Sequence, residues 1–229
     1  MKHLLSLMTV CLLSLSAQAQ QTWDFLDLSE SIPLIEADNI NWNVDKYQTD
    51  VPIQWSNNIA FTEWSTLKAN GEEIPATKGL MFIGDKGKLL FSISSKNKNY
   101  FKLNSSKTKI KICNLKKGQK ITIVGVSGSK EEPRTFTAVE NLEVTSGMEP
   151  TLEEQTSEAK VMNDGDIVIG CTNAMNVYSI SLSADATGIA QTTISKPSGN
   201  DKFYTLDGKQ VKPSHKGIII ANGKKYTNK

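Results

Sequence analysis

Trp42, Tyr47, Trp55 and Trp64 stand in one polar stretch of the chain, beside Asn41, Asn43, Asn57, Asn58 and Glu63. Sugar rings present apolar C–H faces that stack on aromatic rings, and a non-catalytic site needs little beyond such a platform and a few hydrogen-bonding neighbours. The four rings are therefore the candidate carbohydrate-binding residues. The competing reading is that they cap a hydrophobic core, as Trp23 and Phe25 do from an opening strand, with Trp42 the best placed of the four to be core.

Carboxylates offer the second chemistry. Glycoside hydrolysis needs two of them facing each other at about 5–10 Å, and two pairs stand close in sequence: Asp164 with Asp166, flanking Gly165, and Glu36 with Asp38, near Trp42. Asn163-Asp164-Gly165-Asp166 reads more simply as a hairpin turn and Glu36-Ala37-Asp38 as a solvated helix end. The same oxygen-rich turn invites a structural calcium on Asp164 and Asp166, although its spacing departs from the calcium-loop pattern.

Histidine chemistry is confined to His3 and His215. Removal of an N-terminal leader leaves only His215, which rules out a multi-histidine zinc site. Placed between Ser214 and Lys216 in a lysine-rich turn, it has no pocket in which to serve a nucleophile. The expectation is a non-catalytic module with no cofactor beyond that calcium.

The leader itself is legible. Met1-Lys2-His3 is a short basic start, Leu4 to Leu15 an apolar run, and Ala17-Gln18-Ala19 a small-x-small cleavage pattern, so residues 1–19 read as a signal peptide. The apolar run falls short of the roughly 20 residues a membrane span needs, and no later segment approaches it. An exported protein in the periplasm, at the cell surface or outside the cell is expected. Lys+Arg 26 against Asp+Glu 24 sets up no field for nucleic acid. Cys113 and Cys171 are the cysteines beyond the leader; they could form one disulfide or sit as two separately buried thiols.

The elements that must position these residues are short strands. Leu80–Ile83 and Lys88–Ile93, separated by Gly84-Asp85-Lys86-Gly87, read as a hairpin. Tyr100–Leu103, Lys109–Ile112 and Lys120–Val124 follow, the second with strict Lys/Ile alternation that sends isoleucine inward. Arg134–Thr145, Ala159–Met162 and then Asp166–Ile169 with Asn176–Leu182 as a last pair complete the set. A short helix or turn falls between Ser29 and Trp42, and residues 43–78 read as loops and irregular strands. No long amphipathic helix intervenes, so an antiparallel all-β sandwich over residues 20–183 is predicted. A polar linker follows at 184–200, then a small β unit at 201–229 with two tight turns at Asp207-Gly208 and Asn222-Gly223.

Trp23-Asp24-Phe25, Ala37–Trp42, Gly79–Phe82, Leu115–Ile123 and Gly165–Ile169 through Tyr178-Ser179-Ile180 occur in an order that resembles the secreted jelly-roll-like β-sandwich domains of Bacteroidetes, found alone or joined to pectate lyases and other polysaccharide-degrading enzymes. Tyr204–Val211 followed by Lys216–Lys225 is similar to C-terminal segments of that group's secreted proteins, some of which are sorting signals. The resemblance implies a jelly roll and outer-membrane secretion machinery as a partner of the tail; the glycan partner is read from the aromatic residues. The function expected is carbohydrate binding by stacking. The alternatives are a structural or adhesive surface protein with no small ligand and, third, a polysaccharide-active enzyme.

Overall fold

The computed structural model describes residues 21–45, 53–94, 97–183, 203–205, 208–212, 217–221 and 224–228. The expected leader, Tyr47, the linker at 184–200 and His215 lie outside the described residues. The chain divides after Ala186 into two compact units.

The first unit opens with β1 (Gln21–Asp24), a short helix α1 (Ile32–Ala37), β2 (Trp42–Asp45), β3 (Ile53–Asn57), β4 (Phe61–Ser65) and the two-residue strands β5 (Lys68–Ala69) and β6 (Glu72–Glu73). Then come β7 (Leu80–Gly84), β8 (Leu89–Ile93), β9 (Tyr100–Asn104), β10 (Lys109–Leu115) and β11 (Lys120–Ser127). The unit closes with β12 (Phe136–Glu140), β13 (Leu142–Ser146), β14 (Gln155–Val161), β15 (Gly165–Cys171) and β16 (Ala174–Leu182). One sheet has nine strands in the order β13-β14-β11-β16-β9-β8-β3-β2, with β1 also on β16; the other has five, β12-β15-β10-β7-β4.

From β9 to β16 the chain changes sheet at almost every connection, which places β9-β16-β11-β14 in one layer and β10-β15-β12 in the other. That wrapping is a jelly roll, so the fold is the antiparallel all-β sandwich that the strand spacing predicts. The alternation is what drives it: Ile110 and Ile112 on β10 are buried while Lys109 and Lys111 point outward, and burying one face of each sheet is the main favourable term. Between the layers Phe25 stacks on Phe101 at 5.3 Å, and Phe91 lies 5.0 Å from Phe101.

Two expected hairpins are not hairpins. β7 pairs with β10 and β4, whereas β8 pairs with β3 and β9, so Gly84-Asp85-Lys86-Gly87 carries the chain from one sheet to the other. Gly84 permits the close approach this arch needs, because a Cβ there would sit 2.6 Å from Thr108 Cγ2. Asn163-Asp164-Gly165-Asp166 likewise links β14 and β15 across the layers, and β15 and β16 are not paired with each other. Gly165, at φ +136°, occupies backbone space that favours glycine. Asn141 clamps this arch, its amide donating to the carbonyls of Asn163 and Asp166 at 2.8 and 3.0 Å.

The second unit holds β17 (Phe203–Tyr204), β18 (Gln210–Val211), β19 (Gly217–Ala221) and β20 (Lys224–Asn228), an antiparallel sheet in the order β18-β17-β19-β20. Ala221 pairs with Lys224, and Phe203 with Val211. Asp207, Asn222 and Gly223, read as turn residues from the sequence, lie outside the described residues.

Candidate functional site

The tryptophan platform must be corrected. Trp42 and Trp55 are 2% and 1% exposed and belong to the core, so neither has a face to offer a sugar. Trp42 donates its indole N–H to the Lys68 carbonyl at 2.9 Å and leans on Phe91 at 5.4 Å. Trp55 lies opposite Phe91 between the sheets. Trp23 is core too, its N–H donated to the Lys78 carbonyl at 2.8 Å. Only Trp64, on the edge strand β4, is half-buried at the surface, and the Lys111 ammonium sits 4.7 Å from its ring centroid. That cation occupies the face a sugar would stack on.

At the end of α1 Glu36 and Ala37 are solvated as expected, but Asp38 is not: it is 2% exposed. It accepts from the Asn41 backbone and side chain at 3.1 and 2.7 Å and from the Asn70 amide at 2.6 Å, tying the segment after α1 to the β5–β6 turn. Burial pushes its carboxyl up, but these donors outweigh burial and hold it below the usual carboxylate range. Asp164 and Asp166 are also engaged. Asp164 accepts from the Lys117 amide at 2.8 Å and Lys116 Nζ at 3.1 Å, and Asp166 from the Asn114 amide at 3.1 Å, with Lys111 at 3.9 Å. Lysines and amides thus engage the two carboxylates expected to hold calcium, and among the described residues no three His, Cys, Asp or Glu side chains form a metal-holding group.

The disulfide does not form. Both cysteines are free thiols. On the β10–β15 ladder Ile112 faces Ile167 and Ile110 faces Ile169, so Cys113 and Cys171 are displaced along the strands by about five residues, roughly 17 Å at 3.3–3.4 Å per residue. A disulfide needs Cα atoms within about 7 Å. Burial pushes the Cys171 thiol up to about 12 and Cys113 upward as well, Asp166 adding to the latter.

The face able to meet a ligand lies elsewhere, on the outer side of the nine-stranded sheet. On β9, Phe101 and Leu103 are buried, which turns Tyr100 and Lys102 outward; on β16, Val177 is buried and Asn176 and Tyr178 are turned outward. Val177 pairs with Phe101 and Asn176 with Lys102, so the two tyrosines are cross-strand neighbours, as are the asparagine and the lysine. A bulge between Val124 and Gly125 on β11 frees Tyr178 from the regular ladder. Gly125 is required there, since a Cβ would lie 2.4 Å from the Asn176 carbonyl oxygen and 2.9 Å from Phe136.

Each ring is fixed. Gln54 donates to the Tyr100 hydroxyl at 2.8 Å, and Lys98, paired with Glu154, lies 4.9 Å from the Tyr178 centroid. Burial first, then Glu154, push the Tyr178 phenol up, so it stays a neutral hydroxyl. Beside the rings, Asn176 Oδ1 and Ser92 Oγ are buried without a hydrogen-bond partner. Sequence reasoning passed over this face because it followed tryptophans in loops; the signal was present in the alternation Tyr100-Phe101-Lys102 and Asn176-Val177-Tyr178.

No family model matches the chain, and no curated protein matches it significantly.

Proposed function

We propose that this is an exported, non-catalytic module that binds carbohydrate, and that its site is the Tyr100/Tyr178 face of the nine-stranded sheet. The observation that carries the reading is the pairing of two fixed, half-buried phenol rings on the outer face of the nine-stranded sheet, with Lys102 beside them. Ring faces accept the C–H side of a sugar, while Gln54, Asn176 and the phenol hydroxyls supply the few polar contacts that orient it. Lys98 covers one face of Tyr178 as Lys111 covers one face of Trp64, so the Tyr100 ring beside Tyr178 is what makes that face the stronger platform. Two features support a non-catalytic role: Asp38, Asp164 and Asp166 are all committed to structural hydrogen bonds, and His215 stands alone. Export rests on the leader pattern at residues 1–19, with the mature chain beginning at Gln20. The lysine-rich tail is proposed as the part that meets outer-membrane secretion machinery.

Retardation of the protein in native gels containing polysaccharides is the test. Slowed migration with at least one polysaccharide, lost in a Tyr100→Ala and Tyr178→Ala double variant that still unfolds cooperatively well above the gel temperature, is the expected result. Unretarded migration across neutral and acidic polymers alike favours the structural or adhesive alternative.

A further inference from the structure

We infer that the sugar received at the Tyr100/Tyr178 face is acidic, and that Lys102 takes its anionic group. This deepens the carbohydrate reading above and rests on it.

Unmatched charge marks the position of Lys102. Lys98, Lys107, Lys111, Lys116, Lys120 and Arg134 each stand within ion-pair distance of a carboxylate. Lys102 is half-buried on the sheet face, yet among the described residues its ammonium has neither a carboxylate nor a hydrogen-bond acceptor. Its cross-strand neighbours are Leu90 on one side and Asn176 on the other, and the charge that acts on it is that of another cation, Arg134. Burial first and Arg134 second lower the Lys102 pKa. A cation partly withdrawn from water with no counter-charge opposes folding, and positions of that kind are enriched at functional sites.

A simple inorganic anion answers the lysine and leaves the tyrosine rings unused. A neutral sugar covers the rings and leaves the lysine unmatched. A sugar bearing a carboxylate or a sulfate ester answers both, its anionic oxygens facing Lys102 while its C–H face lies on the tyrosines. The two anionic groups share this chemistry and are separated by experiment.

The full mature chain is titrated with dextran, with alginate as the carboxylate probe and with dextran sulfate as the sulfate probe. One acidic polymer is expected to bind at least tenfold more tightly than dextran, which identifies the anionic group. Lys102→Met then loses about tenfold towards that polymer and shows a shallower dependence on NaCl, Lys102→Arg retains binding, and Lys107→Met, which removes an exposed ion pair with Asp85, changes little. The melting temperature of Lys102→Met stays level or rises, because an unpaired charge has been removed. Equal affinity for dextran, or acidic binding that survives Lys102→Met, overturns the acidic-sugar inference. In those cases the carbohydrate reading survives if the double tyrosine variant abolishes binding; failure of all three polymers to bind, together with unretarded migration in the polysaccharide gels, sinks both.

Discussion

Single residues separate core from site. A buried tryptophan and a half-exposed tyrosine look alike as aromatic letters, but their removal has opposite signatures. Trp55→Ala leaves a large void between the sheets and is expected to cost about 3–5 kcal/mol, seen as a large drop in the urea midpoint. Tyr100→Ala and Tyr178→Ala, at half-buried positions on the sheet face, are expected to cost about 1 kcal/mol each, well below the tryptophan, and to remove binding. The thiols give a second test at this scale. With Cys171 buried and its pKa pushed up to about 12, it stays protonated far above neutrality. Iodoacetamide at pH 8 is therefore expected to leave Cys171 unmodified in the folded protein and to alkylate both thiols after unfolding without reductant. A mass corresponding to a disulfide contradicts this.

At the scale of elements, the strands were legible and their partners were not. Lys109-Ile110-Lys111-Ile112 declares its inward face by alternation, and the structure buries those isoleucines. A Gly-Asp-Lys-Gly turn, however, has the same local chemistry whether it returns a strand to its neighbour or arches it to the opposite sheet. Sheet membership is decided by pairings far apart in sequence, such as Ile110 with Ile169. Strands β2 to β6 were hidden for a different reason: most are too short to show a period. The site shared the fate of the pairings, since Tyr100 and Tyr178 become neighbours only once β9 and β16 are paired. Gly125 tests that geometry. Gly125→Ala forces a Cβ against the Asn176 carbonyl and Phe136, and overpacking of this kind costs about 1–3 kcal/mol. At roughly 2–4 °C per kcal/mol for a domain of this size, a drop of about 2–12 °C is expected in calorimetry, with weakened glycan binding because Asn176 and Tyr178 shift together. Unchanged melting sinks the close approach.

Across the whole molecule, two open sheet faces compete for the ligand. The five-stranded sheet presents Trp64 under Lys111, which is paired with Asp166; the nine-stranded sheet presents two neighbouring tyrosines and a half-buried lysine with no anion among the described residues. A sandwich sheet needs polar groups on its outer face, but not unpartnered ones, and that imbalance is what selects the second face. Amide chemical-shift mapping on the full mature chain, titrated with alginate and dextran sulfate oligosaccharides, reads the answer residue by residue. The largest shifts are expected along Gln54, Tyr100 to Lys102 and Asn176 to Tyr178; shifts centred on Trp64 and Lys111, or none at saturating sugar, contradict the placement of the site.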